Sequence, residues 1–174
     1  VREFQAANGL KAHGIADEPT LEKLDQVLIS TFQQGSRHDS IIPFKSDLTR
    51  LGFGGIILND FYGSFTAQRV REFQAYYGLR VNGRGDLATL AKIDEILSSP
   101  LQEGKRHNDT IELKENLTKL GYGGMAINTL YGSFTAKRVR EFQAANGLKA
   151  HGIADEVTLA KLSELVEQLS SREV

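Results

Sequence analysis

The 174-residue chain has no cysteine, no tryptophan and a single methionine. The absence of cysteine excludes a disulfide framework. It fits a cytosolic protein and equally the surface of a Gram-positive bacterium. No stretch reaches the roughly 18 apolar residues a membrane-spanning helix needs, and no signal-peptide pattern opens the chain. Neither charge is in excess. The 21 Lys and Arg and 22 Asp and Glu are interspersed, with net charge −1. The basic stripe of a nucleic-acid binder is therefore missing. Catalytic signatures are missing too: there is no phosphate loop, nucleophile motif, HxxxH or HExxH spacing. The carboxylates Glu72 and Glu141 sit beside Arg71 and Arg140, as on an ordinary solvated helix face. No enzyme activity, cofactor or metal is expected.

What the chain does contain is repetition. VREFQAANGLKAHGIADE occupies 1–18 and recurs unchanged at 139–156, and VREFQAYYGLRVNGRGDL stands at 70–87. Both intervals are 69 residues. YGSFTA at 62–67 and 131–136 keeps the same spacing, and 33 of the 63 positions in 36–98 match their partners in 105–167. A fixed period of this length marks a repeat array. The expected organisation is the C-terminal half of a repeat at 1–30, then full repeats at 36–98 and 105–170. A chain opening inside a repeat is expected to be a piece of a longer array.

Each full repeat reads as three short helices. In the last one, Asn108 and Asp109 suit a helix start, and Leu113, Leu117 and Leu120 share one face until Gly121. Ser133 or Thr135 can cap a second helix carrying Val139 and Phe142, which Asn146–Gly147 ends. Leu148 and Ala150 alternate as in a short extended segment. Asp155 then caps a third helix with Leu159, Leu162, Val166 and Leu169 on one stripe. Pro19 falls in a first helical turn, where proline is tolerated, and Pro43 is expected to shorten its helix. The linkers 29–38 and 98–108 read as polar and moderately ordered. The half repeat has little of its own to pack on. It is expected to dock on its neighbour, to borrow from another molecule, or to be mobile.

The ordered motifs resemble the peptidoglycan-binding domain-like family, the three-helix modules attached to many bacterial wall hydrolases. Its first motif, V-x-x-L-Q-x-x-L-x-x-L-G-Y, corresponds to Leu113, Leu117, Leu120 and Tyr122. The second corresponds to Asn128, Tyr131, Gly132, Thr135, Val139, Phe142 and Gln143. The third corresponds to Gly147, Leu148, Gly152, Thr158 and Leu159. In the preceding repeat the third motif is Gly78, Leu79, Val81, Asn82 and Gly83, ending in Thr89 and Leu90. There are departures. The family's Gln after the first helical Leu is Lys45 or Lys114, its loop Asp-Gly is Asn59-Asp60 or Asn128-Thr129, and its second loop Asp is Asn82, His13 or His151.

The resemblance implies an all-α chain of tandem three-helix bundles. It also implies a non-catalytic module that grips peptidoglycan or another cell-wall polymer outside the cell and anchors a larger protein there. Its partners would be that polymer and neighbouring repeats, with no nucleic acid and no membrane. The ligand surface is expected before the second and third helices, at Tyr62, Phe65, Arg69 and Asn82 in one repeat and Tyr131, Phe134, Arg138 and His151 in the next. A tyrosine can pack on a sugar ring and hydrogen-bond its oxygens; it can equally plug the helix ends. Gln5, Gln74 and Gln143 can tie down a loop through the backbone or meet ligand. Arg84-Gly85-Asp86 spells an integrin-type tripeptide, but Asp86 is explained as a helix cap. The competing reading of the whole is a spacer or assembly array without glycan binding.

Overall fold

A computed structural model describes residues 1–172. They form eight helices: α1 Arg2–Ala7, α2 Glu18–Thr31, α3 Ile41–Arg50, α4 Ser64–Tyr76, α5 Leu87–Leu97, α6 Asp109–Lys119, α7 Ser133–Ala145 and α8 Glu156–Arg172. Among the described residues there is no named strand, only two isolated antiparallel bridges, Arg37 with Phe61 and Arg106 with Leu130. The chain is all-α, and the 69-residue period separates α3, α4 and α5 from α6, α7 and α8. It divides into two compact units, one of Val1–Thr49 with Phe53–Ile93, the other of Arg50–Gly52 with the chain from Asp94 onward.

In the second unit α6 packs on α7 and α8. The apolar stripes meet in one core of Leu113, Leu117, Val139, Phe142 and Leu162, with Tyr131 and Leu101 among them. In the first unit Phe44, Leu48, Val70 and Phe73 are the counterparts, and all are buried. Aromatic residues enlarge this core. Phe53 packs edge-on against Phe73 at 5.3 Å, and Phe73 lies 4.8 Å from Tyr77.

Several local expectations change. Gly132, not Ser133 or Thr135, occupies the N-cap of α7, and no side chain caps it. Thr135 is instead buried in the helix. Leu148–Ala150 forms no strand. Most consequentially, the linkers are not simply polar: Phe32 and Leu101 turn inward. Phe32 lies 5.0 Å from Phe44, and its carbonyl accepts from Gly85 N at 2.8 Å. The Leu101 carbonyl accepts from Ala154 N at 3.0 Å. A Cβ on Gly85 would fall 2.7 Å from the Phe32 Cβ, so this close approach requires glycine. Through Phe32, and through a 2.9 Å bond from Leu87 N to Asp25 Oδ1, the half repeat docks within the first unit.

The third helix of each copy starts where a buried glutamine places it. Gln74, with no exposed surface, accepts from Asn82 N and Gly83 N through Oε1, both at 2.9 Å. Its amide donates to Arg84 O and Thr89 Oγ1, both at 3.0 Å. Thr89 in turn donates to Asp86 Oδ1, which caps α5 by accepting from Thr89 N at 3.0 Å. Gln143, Thr158 and Asp155 repeat this chain, as do Gln5, Thr20 and Asp17. Buried polar groups left without partners cost about 1–3 kcal/mol each. Gln74→Ala strands two backbone donors and a carbonyl at once. It is expected to destabilise the first unit by about 3 kcal/mol, read as a lowered urea midpoint, with Gln143 as an undisturbed internal copy.

Candidate functional site

The segment 54–63 before α4 has little secondary structure of its own, and a lysine holds its shape. Lys45 lies on α3 and is 2% exposed. Its ammonium donates to Ile57 O at 3.1 Å, Asn59 O at 3.0 Å, Asn59 Oδ1 at 2.7 Å and Phe61 O at 2.5 Å. Asn59 Oδ1 also accepts from Phe61 N at 3.2 Å. Burial lowers the pKa of this ammonium from the ordinary 10.5, and the charge of Asp60 opposes that. The ring of oxygens is what compensates a buried charge here. Lys114 holds Ala126 O, Asn128 O, Asn128 Oδ1 and Leu130 O at 2.7–3.1 Å.

Because the carbonyls turn inward to the lysine, the apolar side chains of this segment turn outward. Ile57 and Leu58 are well exposed, Phe61 and Phe65 less so. Between them runs a groove of about 380 Å³ lined by Lys45, Gly55, Ile56, Ile57, Asn59, Phe61, Gly63, Phe65 and Thr66. Gly55, at φ +79°, makes a turn that favours glycine, and a Cβ there would stand 3.8 Å from the Phe65 ring. Two arginines flank the aromatics. Arg37 lies 4.8 Å over Phe61 and pairs with Asp60 at 2.8 Å. Arg69 lies 4.6 Å over Phe65 and pairs with Glu72 at 2.6 Å, while its buried Nε has no hydrogen-bond partner among the described residues. The second repeat reproduces the latter pair: Arg138 stands 4.8 Å over Phe134, pairs with Glu141 at 2.7 Å, and has the same unpartnered Nε.

The eight residues expected at a ligand surface thus separate. Phe65 with Arg69, and Phe134 with Arg138, stand as two separate pairs, each beside the loop of its own repeat. Tyr62 and Tyr131 do not reach the surface: both rings are fully buried, so neither offers a face to a sugar, and the expectation of ring stacking is corrected. Their hydroxyls donate to Gly83 O at 2.9 Å and Gly152 O at 2.8 Å, pinning the first loop to the second. Burial raises the pKa of both hydroxyls far above the ordinary tyrosine value.

Asn82, half-buried, and His151 are likewise bonded internally, and the full burial of the His151 side chain corrects its expected role as a ligand donor. Asn82 Oδ1 accepts from Arg84 N at 2.8 Å, and its amide donates to Asp86 Oδ2 at 2.8 Å. In His151, Nδ1 accepts from Ile153 N at 3.1 Å and Nε2 meets Asp155 Oδ2 at 3.2 Å. A carboxamide and an imidazole each present one acceptor and one donor at similar spacing, so either closes this turn. The sequence reading missed Lys45, Lys114, Ile56, Ile57 and Phe61. The lysines were visible as departures from the family motif. The run Ile56-Ile57-Leu58 after two glycines was the available signal for an outward apolar loop. Among the described residues no group of three His, Cys, Asp or Glu could hold a metal, and no helix is long and apolar enough to cross a membrane.

Residues 37–93 and 106–162 each match the family described as "Putative peptidoglycan binding domain". No curated protein and no solved structure matches the chain. The two matched segments contain both lysine-centred loops and both Phe–Arg pairs.

Lys45→Met keeps the side-chain length and removes the ammonium. The carbonyls of Ile57, Asn59 and Phe61 then lose their donor, and the expected cost is about 2–3 kcal/mol, with faster hydrogen exchange confined to residues 54–63. Acid provides a separate test. Burial pushes the Asp155 carboxyl upward, but hydrogen bonds from His151 and Thr158 and the His151 charge outweigh it, and the net pKa lies below 3.8. A depressed carboxyl contributes stability that is in place above the unfolded pKa and is lost as pH falls through the folded one. The unfolding midpoint is therefore expected to drop below about pH 4. Asp155→Asn should be less stable at neutral pH and show a shallower acid slope.

Proposed function

The chain belongs to the peptidoglycan-binding domain family, and we propose that it is a non-catalytic tandem grip on the bacterial cell wall that anchors a larger secreted protein, such as a wall hydrolase or surface protein. The observation that carries this reading is the recurrence, in both family-matched repeats, of an exposed Phe with a half-buried Arg over its ring, beside a lysine-held loop. Phe65 and Phe134 supply apolar ring surface for a sugar face. The guanidinium groups of Arg69 and Arg138, held over those rings, are of the kind that bonds glycan hydroxyls or the carboxylates of wall peptides. The apolar groove along Ile56, Ile57 and Phe61 is the surface on which a polymer strand would lie.

One shallow contact of this kind is weak. Two on one chain gain avidity, roughly 10²–10⁴-fold when the geometry allows simultaneous engagement. On this reading the repetition in the sequence answers the repetition of the polymer, and the protein resides at the cell wall, in a Gram-positive organism.

The test is co-sedimentation with purified sacculi, with teichoic acids retained or stripped. The chain should pellet with stripped sacculi. Phe65→Ala and Phe134→Ala should each reduce retention, and the double variant should lose it by at least about tenfold, equivalent to roughly 1.4 kcal/mol. Thermal unfolding should barely change, because both rings are partly exposed. Binding only to unstripped walls would move the ligand to teichoic acid. Retention by neither preparation would favour a spacer or assembly array.

A further inference from the structure

The edge of the lysine-held loop is built the same way in both repeats and charged differently. In the first, Tyr62 N donates to Ser36 O at 2.9 Å and His38 N to Asp60 O at 3.0 Å. In the second, Tyr131 N donates to Lys105 O at 2.8 Å and His107 N to Thr129 O at 3.0 Å. This pairing sets Arg37 opposite Phe61 and Arg106 opposite Leu130. Two arginines 69 residues apart thus leave the backbone at equivalent places.

Their surroundings then diverge. The Arg37 guanidinium lies over the Phe61 ring and donates to Asp60 Oδ1 at 2.8 Å. In the second repeat Asp60 is replaced by Thr129 and Phe61 by Leu130, so neither that carboxylate nor that ring exists there. Among the described residues the Arg106 side chain has no ion pair, hydrogen bond or ring contact. The acids nearest to it in sequence meet other groups: Glu103 pairs with Arg140 at 3.8 Å, and Asp109 lies against His107 at 3.5 Å. Ser36 is replaced by Lys105, which is exposed and whose ammonium likewise has no partner among the described residues.

The charge beneath the loop divides in the same way. Lys45 and Lys114 are both buried. Burial lowers the pKa of both; the charge of Asp60 opposes that at Lys45, and no carboxylate opposes it at Lys114 among the described residues. At the edge itself, with the histidines neutral, Arg37, Asp39 and Asp60 leave one net negative charge, where Lys105, Arg106 and Asp109 leave one net positive. A guanidinium fork without an internal acceptor is matched to a carboxylate or a phosphate, which it bonds through two parallel contacts. An exposed internal carboxylate competes for that fork by a few-fold only, because exposed ion pairs are weak.

We propose that the two repeats take different parts of the wall: the second binds an oxyanion, a carboxylate or a phosphodiester, at Arg106 and Lys105, and the residue at position 60 or 129 decides which repeat does so. Asp60 occupies Arg37 from within, and Thr129 leaves Arg106 to the ligand. The first repeat offers its apolar groove instead. This inference rests on the reading of both repeats as wall-binding units.

The test exchanges these residues in the full chain, each substitution installing what the other repeat already holds. The probes are a peptidoglycan disaccharide-peptide with free carboxylates, the same fragment with its carboxylates amidated, and poly(glycerol phosphate). Nuclear magnetic resonance follows the Nε–H signals of Arg37 and Arg106. The Arg106 signal should shift with the free-carboxylate fragment, which should bind there at least about threefold more tightly than the amidated one. Thr129→Asp should remove that preference, and Asp60→Thr with Phe61→Leu should create it at Arg37. A response at Arg106 to poly(glycerol phosphate) alone, removed by Thr129→Asp, would support the site and assign its ligand to phosphate, although the peptidoglycan reading would fall. No shift at Arg106 with any probe, or a preference for charge that survives Thr129→Asp or Arg106→Gln, would overturn the proposal. Equal binding of the free and amidated fragments would overturn it while leaving the wall-binding reading in place.

Discussion

The side-chain amide of Gln74, with its counterparts Gln5 and Gln143, reaches from the middle helix of a repeat into the loop before the next helix. There it satisfies two kinds of backbone group and a threonine hydroxyl at once. Everything later in the repeat depends on that placement. The loop carbonyl that receives the tyrosine hydroxyl, Gly83 O or Gly152 O, is presented by the same turn. The aspartate cap of the third helix is oriented by the threonine the amide touches. A polar group buried with all its hydrogen-bonding capacity used is specific in a way an apolar contact is not, because each misplacement leaves a donor or acceptor unpaired. The same network forms in residues 1–31 around Gln5, Thr20 and Asp17.

A second polar device faces the opposite way. Lys45 and Lys114 sit among helix residues that would otherwise read as solvated, but their ammonium groups point under a loop and gather its carbonyls. The glutamine network builds the inside of a repeat; the lysine builds its outside. Drawing carbonyl oxygens inward leaves the side chains of a loop nowhere to go but toward solvent. That explains why an apolar groove lies above a buried charge. The Phe65–Arg69 pair stands at its edge, on the first two turns of the following helix.

These two devices also explain the division among the expected ligand residues. Tyr62, Tyr131, Asn82 and His151 stand in the loops where a ligand surface was expected, and all four are occupied in joining one loop to the other or closing a turn. Phe65, Arg69, Phe134 and Arg138 lie on helices and are free of that duty. In this repeat, polar residues in the loops serve architecture, and the helix-borne aromatics present the surface.

Period, helix count and helix faces were legible in the residues alone. A 69-residue interval, leucines at helical spacing and an aspartate before each third helix are local signals, and local hydrogen bonding and periodicity respond to them directly. The side chains that link distant segments were not legible. Nothing around Lys45 in sequence announces that its partners lie 12–16 residues further on, and a tyrosine before a glycine reads the same whether it plugs a core or meets a sugar. Phe32 and Leu101 looked like linker residues until the following helices closed over them. The clearest case is the duplicated stretch at 1–24 and 139–162. Its sequence determined the same helices and the same buried glutamine twice. Whether Ile15 or Ile153 meets water was decided only by which segments lie against it, because burial is a property of neighbours.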